Sequence, residues 1–260
     1  MLIGVVIPVF NEERTLRAIT DRLHSTPPPH LTDSGSCSRL VVLVDDGSTD
    51  ASGDIIDELA ERDGVLGVHS KTNRGKGHAL GAGIRLALEH GADAIIVQDA
   101  DLEYDPADHE AVLRPILDGR ADAVIGTRFQ GQTHRVLYFW HSVANRLITG
   151  CSNMLSNLNL SDIECGLKAF RRDVIEAIEI TEPRFGVEPE LVAKLAKLRL
   201  PPPDPDEHAK PFARRGRAQP IRIYEVPVSY AGRTYAEGKK IGWRDGLEAL
   251  WCIVKHNVFG

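Results

Sequence analysis

Cysteine is scarce in this chain. Cys37, Cys151, Cys165 and Cys252 are spread over 260 positions, and none forms a Cys-x-x-Cys pair. Zinc-ribbon and thioredoxin-type readings fail on that spacing. So few cysteines in a chain of this size point away from disulfide dependence and toward a reducing cytoplasm. Positive charge is not in excess either: Lys+Arg 31 against Asp+Glu 37 gives a formal net charge of −6. That balance argues against a globally basic nucleic-acid binder, although a local basic patch is still open. No window reaches the ~18 uninterrupted apolar residues that a bilayer span needs. The opening MLIGVVIPVFNEE is apolar but carries no basic leader, so it reads as a buried strand rather than a signal peptide. No Gly-x-Gly-x-x-Gly follows that strand, where Pro8-Val9-Phe10-Asn11 stands instead. A dinucleotide-binding oxidoreductase is disfavoured accordingly. The expected location is cytoplasmic, with peripheral contact on the cytoplasmic face of a membrane as the furthest excursion.

What is present is ordinary globular material, 42% hydrophobic and 26% charged, enough for a sizeable core. The first half alternates short Val/Ile-rich runs (residues 2–9, 40–44, 93–98 and 122–126, with a weaker one at 65–69) and amphipathic stretches at 13–23, 51–62, 78–90 and 107–117. Runs of that length fit strands covered on both faces. Asp50 is placed to cap the second helix, and Asp105-Pro106 opens the fourth. The alternation predicts a mostly parallel α/β sheet flanked by helices. The second half predicts helices at 138–158, 172–180, 187–198 and 243–258, and a strand at 221–230. Residues 25–38 and 201–220, rich in proline, read as surface loops. We expect a catalytic domain over 1–232, with 233–260 as a basic, amphipathic helical extension packed on it.

Four clusters fall at carboxyl ends of expected strands, where open α/β sheets bind ligands. They are Pro8-Val9-Phe10-Asn11-Glu12, Asp45-Asp46-Gly47-Ser48-Thr49-Asp50, Asn73-Arg74-Gly75-Lys76-Gly77 and Asp99-Ala100-Asp101-Leu102-Glu103-Tyr104-Asp105. Alone, the second could be a turn with an N-cap and the third a plain loop. The fourth is more demanding. In an extended backbone Asp99, Asp101 and Glu103 would share one face, and three like charges there call for a cation. Carboxylate oxygens suit Mg²⁺ or Mn²⁺; the bland reading is a solvated acidic turn.

The set PVFNEE, VDDGSTD, NRGKGHAL and QDADLEYDP resembles the family 2 glycosyltransferases of GT-A fold. Gly126-Thr127-Arg128-Phe129, Ala144-Asn145-Arg146 and Asp162-Ile163-Glu164-Cys165-Gly166-Leu167-Lys168-Ala169-Phe170 are similar to the polyprenyl-phosphate (dolichyl-phosphate) mannose and glucose synthase branch. The resemblance implies that Pro8, Phe10 and Glu12 line the nucleotide base and Asp46 hydrogen-bonds it. Lys76 and Gly77 would sit beside the nucleotide. Asp99 and Asp101 would be the metal-binding Asp-x-Asp, with Glu103 as third ligand. Arg128 and Arg146 would hold an acceptor phosphate, and Arg233 and Lys239 would close over the diphosphate. Around Lys239 the chain reads Arg-Thr-Tyr-Ala-Glu-Gly-Lys where the family has Arg-x-x-Gly-x-Ser-Lys, and Lys240 adjoins it.

The implied reaction moves a hexose, with inversion, from GDP-mannose or UDP-glucose to a polyprenyl phosphate. A divalent cation and basic side chains would stabilise the departing nucleoside diphosphate. A phosphomonoester acceptor arrives as an anion, so it needs arginines to aim it more than a base. A soluble or saccharide acceptor would instead require a carboxylate base, for which Asp162 and Glu164 are the candidates; otherwise they form a capping turn. Arg128 and Arg146 could equally be surface ion pairs, and Lys168 a strand-end residue. Lipid access would come through the stripe from Trp140 to Leu158 and the helix bearing Trp243 and Trp251, with Arg146, Lys239, Lys240 and Arg244 meeting headgroups. Those stripes could equally cover the flank of the sheet. Anchoring would rest on these helices, a partner or a homodimer.

Overall fold

The structure is a computed structural model that describes residues 1–30, 37–130, 135, 138–204, 214–233 and 243–260. Lys239 and Lys240 lie outside the described residues, as do the side chains of Trp243 and Arg244.

In chain order the elements are β1 (Leu2–Val9), α1 (Leu16–Ser25), β2 (Ser38–Asp45), α2 (Ser52–Leu59), β3 (Val65–His69), α3 (Lys76–Glu89), β4 (Ala94–Val97), α4 (His109–Leu117), β5 (Ala123–Thr127), α5 (Phe139–Ser156), β6 (Lys168–Arg171), α6 (Arg172–Glu176), α7 (Val187–Lys197), β7 (Arg199–Leu200), β8 (Gln219–Pro220), β9 (Ile223–Pro227) and α8 (Trp243–Val254). Among the described residues, seven strands form one sheet in the order β3-β2-β1-β4-β6-β5-β9, and β7 pairs with β8. The large sheet is parallel except for β6, which runs antiparallel to β4 and β5.

Alternation along the strands explains the layering. Val5, Ile7 and Val9 of β1 face a core with Leu16, Ile19, Ile56, Val112 and Leu113 from α1, α2 and α4. Val6, with Val42, Val44 and Ile95, faces the other core, built with Leu80 and Ile84 of α3 and Leu191 and Leu195 of α7. The doubly covered α/β sheet expected from the apolar runs is therefore present.

Several boundaries differ from expectation for local reasons. The helix expected from residue 13 begins at Leu16, because Glu12 first accepts backbone bonds from Thr15 and Leu16. Asp50 accepts from Ser52 N–H at 2.9 Å, but α2 starts only at Ser52. Asp105 accepts from Ala107 N–H and leads into a short 3-10 turn, Pro106–Asp108, ahead of α4. The helix expected over 172–180 stops at Glu176. β6 has no counterpart among the expected strands, since four residues carry no readable period. The stretch expected as the loop 201–220 is partly paired through β7, β8 and a Pro203–Arg214 bridge.

The largest departure concerns α5. Its apolar stripe does not cover the sheet: only Thr149 and Ser152 are buried on this helix, and Phe139, Trp140, Leu147 and Met154 are exposed. α5 and α8 pack on each other and on α7, with Leu247 and Trp251 of α8 also exposed. Among the described residues, no helix is long and apolar enough to cross a membrane.

Candidate active site

A cavity of about 740 Å³ opens at the carboxyl ends of β1, β2, β4 and β5, walled by α5, α8 and the start of α7. It brings together Pro8, Phe10, Glu12, Asp46, Lys76, Asp99, Asp101, Glu103, Arg128, Glu164 and Arg233 from seven separate stretches of sequence. Gly77 is buried just behind, where a Cβ would stand 1.9 Å from the Glu182 carbonyl oxygen, so α3 can approach that segment only with glycine. Asp46 points inward to the protein: its carboxylate accepts the N–H groups of Arg74 at 2.9 Å and Gly75 at 2.6 Å, and so fixes the glycine-rich turn before α3. Arg146 is different. It is exposed and does not border the cavity, although its neighbour Asn145 does; one helical step of about 100° separates the two side chains.

The acidic cluster is arranged otherwise than an extended strand end would place it. β4 stops at Val97, and Leu102 takes a left-handed φ of 63°, so Asp99, Asp101 and Glu103 do not alternate on one face. Each is partnered, with Arg233 serving two of them. Lys76 Nζ is 2.8 Å from Asp99 Oδ1 and Arg233 Nη2 is 2.8 Å from Asp101 Oδ2. Glu103 accepts from Tyr230 O–H at 2.8 Å and Arg233 N–H at 2.7 Å. Among the described residues no three His, Cys, Asp or Glu side chains converge to hold a metal. Asp99 and Asp101 nonetheless have the donor chemistry that a hard dication takes. Burial, then the charges of Asp99 and Glu103, push the Asp101 carboxyl well above its ordinary range. Such a carboxyl is one whose ionised form a further cation would favour. The close approach of Asp99 to the loop before β6 depends on Gly166, where a Cβ would lie 2.2 Å from Asp99 Oδ2.

Lys76 and Arg233 are held by carboxylates on two sides. Arg233 also reaches Glu12, at 3.2 and 3.3 Å. Lys76 reaches Glu188 Oε1 at 3.0 Å. Burial opposes the Lys76 charge, but Asp99 and Glu188 outweigh it and hold the ammonium above its ordinary range. Glu188 in turn pairs with Lys168, a fully buried lysine that also donates to the carbonyls of Ile163 and Cys165. Lys168 thus ties the loop before β6 to α7 and does not border the cavity.

On the opposite wall Arg128 and Asp162 form a bidentate pair, Nε to Oδ2 at 2.6 Å and Nη2 to Oδ1 at 2.8 Å. Asn145 donates to the same carboxylate at 3.3 Å, and the guanidinium carbon lies 5.2 Å from the centre of the Tyr230 ring. Asp162 is wholly buried with both oxygens engaged, so it is committed to holding Arg128. Glu164, two residues on, has an Oε1 that is shut off from solvent and unpartnered. Burial, then the charge of Glu188, pushes its carboxyl up to about 7.

A model of glycosyl transferase family 2 matches residues 4–179. The chain belongs to the family 2 glycosyltransferases. An undecaprenyl-phosphate mannosyltransferase of Micrococcus luteus is 30% identical to this glycosyltransferase over 273 residues, covering 96% of each chain. A polyprenol monophosphomannose synthase of Mycolicibacterium smegmatis is 32% identical over 181 residues, which is 68% of this chain and 64% of that protein. In fold, the glycosyltransferase is similar to glucosyl-3-phosphoglycerate synthase from Mycobacterium tuberculosis in complex with Mn²⁺, uridine diphosphate and phosphoglyceric acid. The TM-score is 0.66 at 18% identity, over 99% of this chain and 78% of the other. The sheet with its helices is thus of GT-A type, and its relatives lie in the polyprenyl-phosphate branch.

Sequence reasoning missed Glu188, Tyr230 and Phe185, all of which border the cavity. Glu188 was readable only as a first-turn acid favoured by the helix dipole. Its burial comes from tertiary packing: α7 is covered on all sides from Val187 to Ala193, which no local pattern records.

Proposed function

We propose that the enzyme moves a hexose, with inversion, from a nucleotide-diphosphate sugar (GDP-mannose or UDP-glucose) to a polyprenyl phosphate at a membrane surface. The observation that carries the lipid acceptor is the double character of the cavity wall. α5 and α8 line the cavity with His141, Asn145, Ile148 and Ala249. The same two helices expose Trp140 (75%), Leu147 (61%) and Trp251 (60%) to the outside. A single soluble chain rarely leaves so many large apolar side chains together in water, whereas an interfacial helix does. The undecaprenyl-phosphate and polyprenol relatives support the same acceptor class.

In this reading the nucleotide lies along Pro8, Phe10, Glu12 and the turn that Asp46 fixes. Asp99 and Asp101 would hold Mg²⁺ or Mn²⁺, as the Mn²⁺ and uridine diphosphate of the structural neighbour suggest. The cation would supply positive charge to the leaving diphosphate. Lys76 and Arg233 supply the same from the protein, already desolvated and aimed, so little reorganisation is needed as charge develops. Lys239, outside the described residues, would join them. Glu103 is spent on Tyr230 and Arg233, which makes it a positioning residue. Arg128, held in plane by Asp162, presents the rest of its fork to the acceptor phosphate. That phosphate is its own nucleophile and needs no base.

The soluble-acceptor alternative would need a base, and of the two candidate acids only Glu164 has an oxygen to spare. One panel separates the readings. Purified enzyme is given GDP-mannose, UDP-glucose and related donors with Mg²⁺, Mn²⁺ or EDTA, with and without a short-chain polyprenyl phosphate. Lipid-dependent, EDTA-sensitive transfer to a β-linked product is expected from an α-linked donor. Donor hydrolysis with no lipid product under any condition would shift the acceptor to a soluble molecule.

A further inference from the structure

Among the described residues, nearly every charged group bordering the cavity is paired, and Glu164 is an acid that is not. It stands in the loop before β6, edging the cavity, with its Oε1 closed off from solvent and unpartnered. The charges that act on it most are Glu188, Lys168, Arg128 and Asp162. These are already matched to one another, Lys168 with Glu188 and Arg128 with Asp162. Neither cation is left to turn toward Glu164. Its backbone N–H donates to Asp162 Oδ1 at 3.2 Å, which fixes the loop that carries it.

Position gives this vacancy a meaning. On one side Glu188 holds Lys76, which stands at Asp99; on the other Asp162 holds Arg128. Glu164 therefore lies between the group proposed to meet the donor diphosphate and the group proposed to meet the acceptor phosphate. The moiety that must occupy that interval is the hexosyl ring, because the bond being broken joins it to one phosphate and the bond being formed joins it to the other. A carboxyl that borders the cavity without a hydrogen-bond partner among the described residues gains one when a ligand supplies it. A site built that way rejects strongly an analogue that lacks the matching hydroxyl.

We propose that Glu164 reads one hydroxyl of the donor hexose and so sets which sugar the enzyme accepts. This rests on the nucleotide-sugar reading of the cavity. Around neutrality a substantial share of Glu164 is protonated, so the edge of its carboxyl that borders the cavity can donate to a ring hydroxyl or accept from one. The role differs from that of a base, which must be ionised and would be abolished by an amide.

Titration calorimetry without acceptor tests it on wild type, Glu164→Gln and Glu164→Ala, using UDP, GDP, their hexose conjugates and singly deoxygenated donors. The bare nucleotide is expected to bind all three proteins within about twofold. The nucleotide sugar should bind Glu164→Ala about tenfold more weakly than wild type, and Glu164→Gln should retain most of the affinity. One deoxygenated donor should lose about tenfold on wild type and nothing further on Glu164→Ala. Equal sugar binding by wild type and Glu164→Ala would overturn the proposal. So would additive losses for every deoxygenated donor, or a Glu164→Gln enzyme that binds the sugar normally but transfers nothing, which would make Glu164 a base. Failure of folded wild type to bind any nucleotide would instead remove the nucleotide-sugar reading beneath it.

Discussion

Arg233 Nη2 lies 2.8 Å from Asp101 Oδ2, and the same guanidinium spans Glu12 at 3.2 and 3.3 Å. The arginine comes from 132 positions later in the chain than Asp101, and it sits where a cation between carboxylates must sit. Its cost is competition. In the proposed reading, a dication at Asp101 would have to share or displace this partner, while a diphosphate arriving with it would gain one.

Replacement of Arg233 by Gln should therefore split two affinities that usually move together. Mn²⁺ binding without nucleotide, measured by calorimetry, is expected to tighten severalfold as Asp101 loses a competitor. The KM for the nucleotide sugar should rise ~10–100-fold, the value of one charge-assisted contact. Parallel weakening of both would mean that Arg233 only holds the acidic loop in shape.

The Arg128–Asp162 pair yields a second prediction, because its two halves differ in burial. Asp162 is wholly enclosed, and a half-removed buried pair costs ~3–5 kcal/mol. Asp162→Asn should lower the melting temperature by ~6–20 °C, at ~2–4 °C per kcal/mol, and weaken acceptor use as Arg128 loses its aim. Arg128→Lys keeps the charge but loses the fork. It should raise the KM for a polyprenyl phosphate ~10–100-fold and leave donor KM nearly unchanged, as read from initial rates with each substrate varied. A rise in donor KM instead would put Arg128 at the diphosphate.

How far the sequence could be read follows from what each signal measures. Val5, Ile7, Val42 and Ile96 reveal strands because burial on both faces leaves nothing polar along the run, and that is local information. The clusters at residues 8–12, 45–50, 73–77 and 99–105 mark strand ends for the same reason, so the floor of the cavity was legible. The pairing within it was not. Lys76 meets Glu188 across 112 positions and Asp101 meets Arg233 across 132, separations that no period records. Asp99, Asp101 and Glu103 share one face only in an extended chain; β4 ends at Val97 and a left-handed Leu102 stands between Asp101 and Glu103. The stripe on α5 was legible as apolar, but periodicity cannot tell whether a face meets protein or something outside it. Arg146 failed to reach the cavity for a related reason: adjacent residues on a helix diverge, and a motif does not state which of the two points inward.

That exposed stripe makes a prediction of its own. Trp140→Ser, Leu147→Ser and Trp251→Ser combined remove apolar surface already in contact with solvent, so stability should change little. Sedimentation with anionic phospholipid vesicles is expected to fall at least ~10-fold. Transfer to long-chain polyprenyl phosphate in vesicles should fall with it, while a short-chain acceptor in detergent is used as before. Unchanged vesicle binding by a folded triple variant would assign these residues to contact with another protein chain.

The last prediction concerns pH and isolates Glu164. A carboxyl raised in the folded state from an ordinary value near 4.5 to about 7 binds its proton more tightly there than in the unfolded chain. Its contribution to stability is thus fully present below about pH 4.5 and is lost as pH rises through about 7. Glu164→Gln carries a neutral side chain of the same shape at every pH and forfeits nothing on that climb. Wild type and variant should melt together at pH 4.5. At pH 8 the variant should melt higher, by a margin of at most ~3 kcal/mol for a shift of that size. Other carboxylates titrate in both proteins and cancel in the difference. Equal melting temperatures across the range would mean that Glu164 is ionised and matched by a cation in the folded enzyme. A matched carboxylate has no unmet hydrogen bond with which to read a sugar, so the thermal difference and the calorimetric test stand or fall on the same side chain.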